Sequence, residues 1–210
     1  MGEARVQQFK VQKFLLLHPR CIYCGDKATT VDHCPPKCFF DGRQWPESYE
    51  FPACKKCNNE ARLDEQALGV LVRVEVFRRK KRSGSDEWKK LLRGTVNNWP
   101  QIVAEWKEVS RNRQRRVLRD MFGDLGDEMR RAGFGTINVG PITRSAIKRF
   151  VVKLAKALYY RHTGEILDGV VHASQLSSLD SEKYGDLIDS ALKFAPALAD
   201  SKRSGKTLYD

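Results

Sequence analysis

Two cysteine pairs and an acid–base couple carry the reactive side chains of this sequence. Cys21 and Cys24 stand in a C-x2-C spacing in "CIYCGD", and Cys54 and Cys57 repeat it in "PACKKCNN". A two-residue gap lets both sulfurs of a pair turn toward one ion, so two such pairs can supply four thiolates to a tetrahedral zinc. Disulfides are the alternative, but close cysteines in a chain with no secretory pattern read more naturally as metal ligands. Between the pairs lies "TTVDHCPPKC", where Asp32 precedes His33. On a strand, adjacent side chains point to opposite faces. One of the two could then bind a metal while the other addresses water. In isolation, the same couple would read as a turn acid and an ordinary histidine. Cys34 and Cys38, spaced C-x3-C with no matching pair, read as buried free thiols, with a second metal site as the alternative.

These residues need elements to position them. "ARVQQFKVQKFLLLHPR" sets Val6, Phe9, Lys13 and Leu16 on one helical face, with Phe14 and Leu17 nearby, and Pro19 ends the helix. That face is expected to cover the segment that follows. From Cys21 to Phe51, turn residues interrupt short apolar runs, which predicts short strands joined by an irregular loop and no long helix. After Cys57, Leu63, Ala67, Val70, Val74 and Phe77 recur at helical spacing, although the β-branched run "VLVRVEVF" works against the second half. A helix opening at Pro100 is expected to carry Ile102, Trp106, Val109, Val117 and Phe122 as apolar positions. "FGTINVGPIT" reads as a short strand. Ile147, Val151, Leu154 and Leu158 mark a further helix, with Gly164 as its C-terminal cap. A shorter helix is expected in "SEKYGDLIDSALKF", and a loose tail after it. The fold class is α+β and mostly helical, with one unit at 1–94 and a mainly helical second unit at 95–210.

The 210 residues include 41% hydrophobic ones, enough for a core, and carry a formal charge of +12. So basic a chain suits a polyanion, because Lys and Arg gain free energy by releasing counterions condensed on phosphates. Three clusters could hold a backbone: Arg78 to Arg82; Arg111, Arg113, Arg115, Arg116 and Arg119; and Arg144, Lys148, Arg149, Lys153 and Lys156. Solvated helix faces are the plainer reading of each. Trp45, Trp88, Trp99 and Trp106 read as core. No run is long and apolar enough to span a bilayer, and a cytoplasmic location with no membrane partner is expected.

Together, "CIYC", "VDHCPPK" and "PACKKCNNEARLDE" resemble the HNH endonucleases, in the branch stabilised by zinc on C-x2-C knuckles. The likeness covers about residues 21 to 66, and "KRFVVKLAKALYYRHTGEIL" is similar to a helical segment downstream in some small HNH proteins. The resemblance implies a ββα-metal unit and a hydrolase that cuts nucleic acid, DNA above all, leaving a 5′ phosphate. It implies structural zinc on Cys21, Cys24, Cys54 and Cys57. It also implies a catalytic Mg²⁺ or Mn²⁺ on Asp32 and Asn58, with His33 as general base. Asn59 is a rival for Asn58. The family's middle asparagine, which helps orient the histidine, has no counterpart in "FFDGRQWPESYEFPA", so Glu47, Ser48 or Tyr49 would have to replace it. That departure leaves open a non-enzymatic zinc module that binds nucleic acid or a protein. A phage-defence effector held by a regulatory partner such as an ATPase is a third expectation.

Overall fold

The protein is described from a computed structural model, which covers residues 3–40, 42, 46–79, 86–106, 110–131, 137–171, 202–204 and 207–209. Seven α-helices and two two-stranded antiparallel sheets lie among these residues. Helix α1 (Glu3–Leu17) precedes strand β1 (Thr30–His33), and a 3-10 turn at Lys37–Phe39 leads toward β2 (Glu50–Ala53). Helix α2 (Lys55–Arg79) follows β2 after one residue. Then come α3 (Asp86–Asn98), α4 (Pro100–Glu105), α5 (Arg111–Phe122), α6 (Gly126–Arg131) and α7 (Pro141–Thr163). A small hairpin of β3 (Lys202–Ser204) and β4 (Thr207–Tyr209) stands where a loose tail was expected. Thr207 and Tyr209 are good strand formers.

Strands β1 and β2 pair with Thr30 opposite Ala53, Val31 opposite Pro52, Asp32 opposite Phe51 and His33 opposite Glu50. Two strands of four residues are marginal alone. Helix α7 closes one face of them: Ile22, Cys34, Tyr49, Phe51 and Ala157 form a buried cluster, with Phe150, Leu154 and Leu158 packed against it. Helix α2 packs on α3, on α7 and on the 37–39 turn, so Ala67, Leu68 and Val70 are all buried. Despite its β-branched second half, the helix runs to Arg79. Val74 and Phe77 have side chains outside the described residues.

Several expectations change. Helix α1 packs on β1, and its half-buried Val11 and Phe14 line a cavity with β1 residues, whereas Val6, Phe9 and Leu16 are exposed. The face that covers the strands is therefore rotated from the predicted one. The single run from Pro100 breaks in two: α4 ends at Glu105, and Ser110 caps α5 by accepting from the Arg113 amide at 3.4 Å. Helix α3 has no counterpart among the expected elements; it buries Thr95, and the boundary placed after residue 94 falls inside it. The expected strand at 134–143 is described only from Ile137, and the expected helix at 181–194 lies outside the described residues. Helix α7 ends as predicted, with Gly164 at φ +74° and its amide on the Tyr160 carbonyl at 2.8 Å. Trp99 and Trp106 pack around Ala67, Ile102 and Ala146, and Trp88 donates to the Val70 carbonyl. Trp45 is outside the described residues.

Glu105 holds the start of α7. Its carboxylate accepts from the amides of Ile142 and Thr143 at 2.9 Å each and from the Thr143 hydroxyl at 2.8 Å. It thus satisfies orphan donors at a helix start that lacks a side-chain cap of its own. Desolvation, which would raise its pKa, is outweighed by these donors, and the carboxyl is held below its ordinary value. A depressed folded pKa contributes stability that is present above the unfolded value and lost as pH falls through the folded one. Glu105→Gln is therefore expected to lower the thermal midpoint at neutral pH. The gap to the parent protein should close on acidification below the ordinary carboxylate range, as read by melts from pH 7 to pH 3.

Candidate metal centre and histidine cleft

The two cysteine pairs meet. Their four sulfurs lie within 4.8 Å of one another, with Cys24 Sγ and Cys54 Sγ 3.7 Å apart. Four thiolates at about 2.3 Å from one zinc would be roughly 3.8 Å apart, so the donor set fits such an ion. All six cysteines are free thiols.

Local backbone geometry aims each pair. The first turns back through Gly25, at φ +81°, whose amide bonds the Cys21 carbonyl at 2.8 Å. A side chain at that φ would be strained. The second uses the strand-to-helix junction: Cys54 ends the hairpin, the Asn58 amide bonds its carbonyl at 3.1 Å, and Cys57 lies in the first turn of α2. One metal would thus fasten the 21–24 knuckle, β2 and α2 together. Cys34 is fully buried and Cys38 half-buried, and burial pushes each thiol up to about 12. Cys38 donates to the Glu65 carbonyl at 3.4 Å, which fits the free-thiol reading. Among the described residues, Cys21, Cys24, Cys54 and Cys57 are the only cluster of this kind.

Asp32 and His33 diverge across β1. The His33 ring is 21% exposed and opens on a cavity of about 590 Å³ lined also by Lys10, Val11, Phe14, Thr29, Thr30 and Glu50. Its Nε2 lies 3.0 Å from Glu50 Oε1, the residue directly opposite in the hairpin. Burial lowers the His33 pKa, the Lys37 charge lowers it further, and Glu50 only partly offsets them. The ring is therefore neutral at neutral pH. With Glu50 ionised, Nε2 must carry the proton that bonds it, which leaves the lone pair on Nδ1. Glu50 is the functional candidate that motif spacing missed. Only pairing two strands 17 residues apart brings it to His33.

Asp32 faces the other way and is 4% exposed. Its Oδ2 accepts from the Tyr23 hydroxyl at 2.5 Å and from Lys153 Nζ at 2.8 Å, and Lys153 also bonds Glu65. Burial works against the Lys153 charge, but Asp32 and Glu65 outweigh it and hold the ammonium above its ordinary pKa. Burial likewise pushes Glu65 up to about 7, against the pull of Lys153. Asn58, half-buried, donates to Thr30 Oγ1 at 3.2 Å, and Asn59 is exposed. Thr30 lies two residues along the strand from Asp32, roughly 6.6 Å.

The donors expected for a divalent ion are thus already engaged. Asp32 holds a cation belonging to the chain itself, and Asn58 holds the strand, so this arrangement does not fit Mg²⁺ or Mn²⁺ between them.

Three members of the third basic cluster are engaged within the chain, while Arg144 and Lys148 are exposed. Arg149 makes a bidentate pair with Asp64 at 2.7 Å, Lys153 is buried on Asp32, and Lys156 donates to the Tyr23 carbonyl at 2.7 Å. These side chains serve the Asp32 side of β1, away from the His33 cleft. Arg111, Arg113, Arg115, Arg116 and Arg119 are exposed on α5, and the Arg78 to Arg82 side chains lie outside the described residues. No described helix is long and apolar enough to cross a membrane. Compared with protein families, curated proteins and solved structures, the chain matches none.

Proposed function

We propose that this chain is an HNH-type endonuclease that hydrolyses phosphodiester bonds in nucleic acid, DNA above all. The observation that carries the reading is His33, held by Glu50 and opening on a cleft beside a hairpin that four thiols can fasten to α2. In this reading Nδ1 of His33 takes a proton from water as the water oxygen bonds to phosphorus. The bond to the 3′ oxygen breaks, and that oxygen is protonated from solvent. The product keeps a 5′ phosphate, and His33 returns its proton to water. Lys10 lines the cleft, and Lys37 is close enough for its charge to act on His33, so cationic side chains adjoin the place of the phosphate.

Mg²⁺ or Mn²⁺ is the cofactor that the resemblance supplies, to spread the charge of the pentacoordinate phosphate. Asp32 and Asn58, engaged by Lys153 and Thr30, do not fit that ion as arranged. Incubating zinc-loaded protein with supercoiled plasmid, with and without Mg²⁺ or Mn²⁺ and with any ATPase partner, tests the reading. Nicking or linearisation that disappears in His33→Ala is the expected result. Intact plasmid under every condition would refute it.

One observation favours a second reading, a zinc module that binds nucleic acid without cutting it. The tie between Asp32 and Lys153 leaves the supposed metal ligand occupied. In that case retention of DNA would be the same in His33→Ala as in the parent protein, and no cleavage would accompany it.

A further inference from the structure

Three cationic side chains of α7 project along one face into the space between the hairpin and α2. Arg149 grips Asp64, Lys153 four residues on meets Asp32 and Glu65, and Lys156 reaches the Tyr23 carbonyl. Spacings of four and three residues place them in a row on one helix surface. The outer two bonds pin α7 on either side of Lys153. The ammonium itself is closed in, its side chain 9% exposed between carboxylates 4% and 12% exposed. Its donors meet Asp32 Oδ2 and Glu65 Oε1, and Nζ stands 5.2 Å from the centre of the Tyr23 ring, whose π face also attracts a cation.

We infer that Lys153 is the resident cation of the Asp32–Glu65 pair, occupying the place between hairpin and α2 that an oxygen-liganded divalent ion would take, so that Asp32 does not ligate such an ion. The local chemistry is that of a hard-cation site: two carboxylates, and a tyrosine hydroxyl bonded to one of them, converge on one positive charge. A single covalently tethered charge fills it, and mass action cannot wash it out. The carboxylates need a cation whatever reaction the cleft performs, because burying two of them uncompensated is strongly unfavourable. Lys153 also ties the knuckle residue Tyr23, β1, α2 and α7 into one network. The inference goes beyond the nuclease reading and does not depend on it.

Titration of the zinc-loaded full-length protein with MnCl₂, followed by the electron paramagnetic resonance of free Mn²⁺, tests it. The parent protein and Asp32→Asn are expected to take up Mn²⁺ with the same affinity. Lys153→Met should gain one site at least tenfold tighter than any in the parent, and the double variant Lys153→Met with Asp32→Asn should lose it. A parent protein whose Mn²⁺ uptake weakens tenfold or more in Asp32→Asn would overturn the inference, as would a folded Lys153→Met that gains no site. Should Lys153→Met fail to fold, the parent and Asp32→Asn decide the matter, since the lysine is present in both. The readout is ion uptake, so intact plasmid would count against the nuclease reading and leave this result standing.

Discussion

Protein stripped of zinc by a strong chelator, or carrying Cys54→Ser, is expected to lose the knuckle, the β1–β2 hairpin and the first turn of α2 as one unit. The reason is size. The hairpin has four residues in each strand, and Cys21, Ala53 and Cys54 form a small buried cluster whose neighbours are Tyr23 and Cys57. The cluster of Ile22, Cys34, Tyr49, Phe51 and Ala157 holds the other face of the hairpin on α7, but on the knuckle side so little apolar area cannot fix the chain alone. Structural zinc on four thiolates contributes on the order of 10 kcal/mol, and where no preformed site exists in the unfolded chain that binding energy is folding energy. The loss should appear as a thermal transition many degrees lower, or a separate early one, with one zinc per chain released. Cys38→Ser should retain the full zinc content, because its sulfur bonds a carbonyl away from the cluster. Melting unchanged by chelator would remove the four-thiolate site from consideration.

Under the proposed nuclease reading, replacing His33 by alanine is expected to lower cleavage by roughly 10² to 10⁴, the usual contribution of a positioned general base. Glu50→Gln should cost less, on the order of tenfold, since it keeps an acceptor for Nε2 but gives up the charge that strengthens the bond. The pH dependence follows from the sign of the His33 shift. Burial and Lys37 lower its pKa, so the neutral ring that accepts a proton persists below the ordinary histidine value of about 6.5. The acid limb of the rate should therefore fall below that value. In Glu50→Gln it should move lower still, because Glu50 raises the pKa more than Asp32, the other group that does so. Initial rates on a defined duplex from pH 5 to pH 8 would show both effects. A limb that stays in place in Glu50→Gln would separate Glu50 from the base.

Much of this was legible locally. Cys21 with Cys24 and Cys54 with Cys57 declare themselves because each pair needs only one turn of backbone to aim two sulfurs at a point. The span of α7 and its Gly164 cap follow from helical period and from the one residue type at ease in the left-handed region, whereas Val151, expected on the apolar stripe, is exposed and Ala146 and Ala157 are buried instead. The adjacent Asp32 and His33 had to face opposite ways once β1 formed.

What each of them meets was decided elsewhere. Glu50 reaches His33 only because the register of two strands places them in one pair, and no spacing along the chain encodes that register. The burial of Lys153 was equally hidden. In "KRFVVKLAKALYY" it stands among other cations, and only the packing of α7 against α2 and the hairpin turns it inward to the carboxylates. The exposed faces of α1 and the break between α4 and α5 belong to the same class, being set by which neighbour competes for a surface or a hydrogen bond. The sequence by itself determined which groups could bind metal or move a proton. The tertiary structure decided which are open to a ligand and which are already held by the chain, because burial and pairing depend on contacts between residues far apart along it.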